Sequence, residues 1–127
     1  MTLTEFLEAR ITEDEDLARN AAKFEYGCDA DVCDDGAWEV ADGGKRIDGE
    51  HMTIYDEGGH SAYQAEHIAR WDPARVLAEC EVKRQIIDAL VPIATYLWLA
   101  TPPAKHVLEI LALLYADHED YRPEWRP

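Results

Sequence analysis

The stretch that decides the fold class is residues 37–59, AWEVADGGKRIDGEHMTIYDEGG. Its apolar residues occur in short bursts, whereas the chain on either side has helical periodicity. Trp38 and Val40 alternate as on one face of a β-strand, and Met52 and Ile54 do the same further along. Because alternation of period two is typical of a half-buried strand, this stretch predicts a small sheet.

Two turns are predicted inside the same stretch. Asp42-Gly43-Gly44 and Asp48-Gly49 are combinations that favour tight hairpin turns. They predict a β-hairpin or a three-stranded antiparallel sheet. A lone hairpin is marginal in water, so we expect it to pack its apolar face against a helix.

The N-terminal residues 2–24 predict an amphipathic helix. Thr2 and Glu5 have the spacing of a capping box, and Leu3, Phe6 and Leu7 begin an apolar face that continues at intervals of three and four.

Three more helices are predicted after the sheet. Residues 62–71 predict a short helix, and Asp72-Pro73 predicts the N-cap and first residue of a longer one that Pro92 should kink or end. After the break at residues 101–103, residues 104–116 predict the last helix. We therefore predict an α+β fold, about four helices packed against the small sheet, as a single domain over residues 1–127.

The last segment, residues 115–127 (YADHEDYRPEWRP), predicts a non-helical strap docked on the helices. Arg122 and Arg126 each precede a proline, which favours extended backbone. Tyr115, Tyr121 and Trp125 are too many large aromatics for a loose tail, since burial of this kind orders a segment. We expect Trp125 to pack on apolar surface and the arginines to meet acids of the N-terminal region.

Composition limits the functional classes. The formal net charge is −15, and residues 1–35 hold eleven acids against three bases. Such a field disfavours direct binding of nucleic acid and of anionic lipid. The N-terminus has no secretory pattern and no apolar run is long enough to span a bilayer, so we expect a cytoplasmic protein without a membrane segment. The three cysteines predict reduced thiols.

Three stretches resemble a known family. LTEFLEARITEDE, EHIARWDPARVLAECEVKRQII and LLYADHEDYRPEWRP resemble, in this order, small uncharacterised proteins of actinobacteria and their phages that form a domain of unknown function. The resemblance implies a lineage and a size, with no established activity, cofactor or catalytic residue. Members often carry His where this chain has Trp71 and Pro where it has Leu114.

Two sets of residues could bind a metal. His67 and His118 lie in the resembling motifs with carboxylates close in sequence, but they are far apart along the chain. The other set combines thiolate and imidazole ligands in and near the predicted sheet, at spacings unlike a zinc knuckle. Its members are Cys28, Cys33, His51 and His60. The alternative for His67 and His118 is that each caps a helix end or bonds a neighbouring carboxylate, and the alternative for the cysteines is surface thiols in a polar loop.

The sequence favours a non-enzymatic function. It has no Gly-rich phosphate loop, dinucleotide fingerprint or nucleophile elbow, and it calls for no cofactor. Tyr and Trp combine apolar area with a hydrogen-bonding tip, which interfaces favour. We therefore predict an accessory protein that binds an unknown protein partner, or forms a homo-oligomer. It would use its acidic N-terminal face, which could mimic nucleic acid or dock a basic partner, or the aromatic residues Trp71, Tyr115, Tyr121 and Trp125. The alternative is a metal-binding protein or small metal-dependent hydrolase using the His67/His118 region or the Cys28/Cys33 loop.

Overall fold

The computed structural model describes residues 1–22, 35–50, 52–55, 62–96 and 101–127. These residues form four α-helices and a three-stranded antiparallel sheet, which confirms the α+β prediction. The elements follow the order α1 (Leu3–Ala22), β1 (Glu39–Ala41), β2 (Arg46–Asp48), β3 (Thr53–Tyr55), α2 (Ala62–Arg70), α3 (Pro73–Tyr96) and α4 (Thr101–Ala112).

The chain clusters into two compact units. The first unit comprises Met1–Glu13 and Cys80–Pro127, and the second unit comprises Asp14–Glu79. Each unit is described by itself below. The single domain expected from the sequence stays a prediction.

Helix α1 begins with the predicted capping box. The Thr2 N–H donates to Glu5 Oε2 over 2.7 Å, and the Glu5 N–H donates to Thr2 Oγ1 over 3.2 Å. These reciprocal bonds satisfy two of the N–H groups that a helix start leaves unpaired. Because the Glu5 carboxylate accepts the Thr2 N–H, its pKa is lowered from the ordinary value of 4.5.

The sheet of the second unit has the strand order β1-β2-β3. Val40 pairs with Ile47, and Ile47 pairs with Ile54. Ile47 of the central strand is fully buried. Helix α2 lies against β1, β2 and the turn between them, with Ala65 fully buried, so the sheet packs on a helix as expected.

The β1–β2 turn needs glycine at one position for two reasons. Gly44 has φ +95°, and a Cβ added there would lie 2.7 Å from the Ala62 Cα at the start of α2. A side chain would therefore meet both backbone strain and helix backbone. Gly43 shares a positive φ of +66° but has open space around it.

Two helix boundaries differ from the sequence-based expectation. Helix α3 continues through Pro92 to Tyr96, so the proline does not end it. Helix α4 begins at Thr101 instead of residue 104, because prolines fit a first helical turn, where the N–H groups have no intrahelical partner. It ends at Ala112, and a 3₁₀ turn, Leu113–Tyr115, follows.

The C-terminal strap (residues 115–127) is built of turns, with a 3₁₀ turn at Pro123–Trp125. Arg122 (ψ 131°) and Arg126 (ψ 130°) both have extended backbone, which confirms the effect predicted for the prolines. Trp125 is 7% exposed, so the docking of the strap is confirmed.

Candidate functional site

One corner of the second unit is built around the start of α3. The Asp72 carboxylate accepts the Arg75 N–H at 2.8 Å through Oδ1 and the Trp38 N–H at 3.0 Å through Oδ2. The first contact is the predicted N-cap. The second holds the segment that leads into β1 against the helix start, and the Ala74 N–H adds a bond to the Gly36 carbonyl at 3.0 Å. One carboxylate therefore caps α3 and positions Trp38.

An apolar cavity of about 270 Å³ lies at this corner. It is lined by Asp14, Leu17, Ala18, Ala21, Trp38, Trp71, Pro73 and Val76. Leu17 is 71% exposed and Trp71 is 44% exposed, although both are large apolar residues. Trp38 is half-buried. The cavity is thus a recess between two indoles with one carboxylate on its wall.

A second, polar cleft of about 380 Å³ shares Trp71 with the first. It is lined by Tyr63, Glu66, His67, Arg70, Trp71 and Arg75. The Arg75 guanidinium stacks over the Trp71 ring at 4.1 Å, and its Nε donates to Glu79 Oε1 at 2.9 Å. Arg70 pairs with Glu66 at 3.5 Å. Because both arginines have a carboxylate of their own helix within 4 Å, the cleft carries little net positive charge.

We call the side chains that line the apolar cavity and the polar cleft the Trp71 surface. Trp71 is the residue common to both. It is also one of the four interaction residues predicted from the sequence. Leu17, which also lines the apolar cavity, is not among them, since a helix pattern alone does not show which apolar residue is left at the surface.

The other three predicted interaction residues lie together in the first unit, around the fully buried Phe6. Ring centroids lie 4.9 Å from Phe6 for Trp125, 5.9 Å for Tyr121 and 6.4 Å for Tyr115. The Tyr115 hydroxyl also accepts a hydrogen bond from Lys83 Nζ at 3.0 Å. Through these contacts the three aromatic side chains hold the strap against Phe6.

Arg10 is the buried charge of that cluster, with 6% of its surface exposed. Its Nη2 donates to Glu13 Oε1 at 2.7 Å, while its Nη1 contacts the His118 ring and reaches Asp120 Oδ2 at 3.4 Å. The ion pair between helix and strap therefore has its cation on α1. Among the described residues, Arg122 lies 4.0 Å from Glu124, and the expected contact of the strap arginines with N-terminal acids stays a prediction.

The metal-ligand candidates divide between described and undescribed residues. His67 lies beside Trp71, with ring centroids 6.2 Å apart, and His118 lies beside Arg10. Cys28, Cys33, His51 and His60 lie outside the described residues. Within the described ranges, no three His, Cys, Asp or Glu side chains are grouped to hold a metal ion. Cys80 is fully buried on α3, where it serves as a small apolar core residue.

The fold and the site together define a small α+β protein with an apolar and a polar cleft that share one tryptophan. Residues 1–127 match the family of unknown function DUF6221, so the chain belongs to this family. Neither the curated proteins nor the solved structures contain a match to the chain. No described helix is both long and apolar enough to cross a membrane.

Proposed function

We propose that this chain is a non-enzymatic binding protein that contacts a protein partner through the Trp71 surface. The observation that carries the proposal is the position of Trp71, which lines two adjoining clefts and is 44% exposed. Indole rings in partly formed recesses are the anchors that protein interfaces favour, since they combine a large apolar area with few rotatable bonds.

The neighbours of Trp71 support a macromolecular partner. Tyr63, 84% exposed, lines the polar cleft, and Leu17, 71% exposed, lines the apolar cavity. Single exposed apolar residues are ordinary, but exposed apolar residues beside two adjoining clefts are typical of an interaction site. A second copy of the chain is the alternative partner.

The wider setting is also a proposal. The three motifs described above imply a protein of actinobacteria or their phages, and we propose a cytoplasmic location. The net charge of −15 supports a partner other than nucleic acid, because phosphates would be repelled.

The experiment compares three tagged proteins as baits in a lysate of the source organism: the wild type, Trp71→Ala and Ile110→Ala. Ile110 is a matched control, since it is 48% exposed but belongs to the first unit. We expect wild type and Ile110→Ala to capture the same protein, and Trp71→Ala to lose it while retaining a cooperative unfolding transition. Equal capture by all three would contradict the proposal, as would no specific capture by the wild type.

A further inference from the structure

The charge of the molecule is concentrated in the unit that carries the Trp71 surface. By sequence, Asp14–Glu79 holds 17 acids and six bases, a formal net charge of −11. The remaining residues hold ten acids and six bases, a net charge of −4. A partner that approaches the second unit therefore meets a negative field, which raises the association rate of a basic surface and lowers that of an acidic one.

Local charge around the apolar cavity has the same sign. Asp14 is the one charged residue among the side chains that line it. Asp16 follows on the same helix, with 66% of its side chain exposed and Arg19 at 3.8 Å. At physiological salt, charges interact over about 8 Å, so the Asp14 carboxylate acts directly on groups that enter the cavity.

The cations of the polar cleft do not reverse this field. Arg75 is held by Glu79 at 2.9 Å, and Arg70 lies 3.5 Å from Glu66. An acidic partner would have to displace these carboxylates. A basic partner leaves both pairs in place.

We propose that the partner segment is basic and carries a bulky apolar side chain, and that this side chain enters the cavity between Trp38 and Trp71 while flanking Lys or Arg residues meet Asp14 and Asp16. This inference rests on the proposed function and names the class of partner. The cavity provides the apolar contact, whereas the carboxylates on α1 orient the partner segment and raise its association rate.

The test uses three synthetic peptides and the full-length, ¹⁵N-labelled protein. The first peptide is acetyl-Gly-Lys-Leu-Leu-Lys-Leu-Leu-Lys-Gly-amide. The second replaces every Leu by Ala, and the third replaces every Lys by Glu. Binding is followed by the indole N–H signals of Trp38 and Trp71, assigned with Trp→Phe variants. The indole of Trp125, 7% exposed in the first unit, is the internal reference.

The lysine–leucine peptide should shift the Trp38 and Trp71 signals in a saturable way and bind about tenfold more tightly than either control peptide, a difference of about 1.4 kcal/mol. Asp14→Asn should weaken this binding about threefold, as expected for one partly exposed ion pair. Asp42→Asn removes the same charge from an exposed turn position that does not line the cavity, and should leave the affinity unchanged.

Equal binding of the alanine peptide would overturn the proposal, because charge alone would then explain the affinity. Tighter binding of the glutamate peptide, or unmoved Trp38 and Trp71 signals, would also overturn it. A captured partner that depends on Trp71, together with peptides that fail to bind, would reject the basic segment and leave the proposed function standing. Peptide binding without Trp71-dependent capture would reject the function instead.

Discussion

Trp125 and Trp71 show two uses of the same residue type. Trp125 lies 4.9 Å from Phe6 and is 7% exposed, so its indole holds the strap on the first unit. Trp71 lies at the corner of the second unit, is 44% exposed and borders two clefts. This difference in burial shows that aromatic content alone does not identify a binding surface. Burial and the open volume beside each ring distinguish an aromatic that holds the fold from one that remains accessible.

The largest effect is expected for Trp125→Ala. Removal of a buried indole leaves a cavity beside Phe6, and such truncations cost about 3–5 kcal/mol. Trp71→Ala should lower the free energy of unfolding by about half as much, because Trp71 is 44% exposed. Urea unfolding of both variants checks the order. A larger loss for Trp71→Ala would show that this ring belongs to the core.

Gly44→Ala should destabilise the chain by about 3 kcal/mol, through a positive φ and a clash with the Ala62 backbone. Gly43→Ala is the matched control, because it shares the positive φ without a neighbour within 4 Å. It should cost about 1 kcal/mol. Thermal or urea unfolding measures both. Equal losses would contradict the close packing of the β1–β2 turn on α2.

Asp72→Ala tests how the Trp71 surface is positioned. It removes the N-cap of α3 and the acceptor of the Trp38 N–H, so we expect a loss of about 1–2 kcal/mol and a shifted Trp38 amide signal. Asp88→Ala changes an exposed aspartate within the same helix and should stay within about 0.5 kcal/mol of wild type. An unshifted Trp38 amide signal in Asp72→Ala would contradict the hydrogen bond from the Trp38 N–H to the Asp72 carboxylate.

The smallest effect concerns Glu5. Its pKa is lowered in the folded state, so its contribution to stability is present above the ordinary carboxyl pKa of 4.5 and is lost as the pH falls through the folded-state pKa. Urea unfolding of wild type and Glu5→Gln at several pH values should show that the difference between their free energies of unfolding shrinks as the pH falls. A difference that grows toward acid would contradict the capping geometry.

Short-range signals made much of the fold predictable. The Thr2–Glu5 pair marked the start of α1, and Asp72-Pro73 marked the start of α3, because each depends on groups within one helical turn. The glycines at residues 43 and 44 marked the hairpin turn for the same reason. These features need no knowledge of tertiary packing.

Features that depend on distant contacts were not predictable. A hairpin and a three-stranded sheet both stayed open, because the central strand β2 carries a single apolar residue, Ile47, whose role comes from pairing with Val40 and Ile54. The Arg10–Asp120 ion pair joins residues 110 positions apart. Trp71 could be proposed from residue type alone, but the apolar cavity beside it arises only when α1, the segment before β1 and the α2–α3 corner come together.

The most direct test of whether the Trp71 surface binds a partner compares Leu17→Ala with Leu114→Ala. The two leucines are 71% and 64% exposed, and only Leu17 lines the apolar cavity. Both variants should unfold within about 0.5 kcal/mol of wild type, since exposed substitutions seldom cost more. We expect Leu17→Ala to weaken capture of a partner whose binding depends on Trp71, and Leu114→Ala to capture that partner fully. Equal capture by the two variants, or a loss confined to Leu114→Ala, would contradict this expectation.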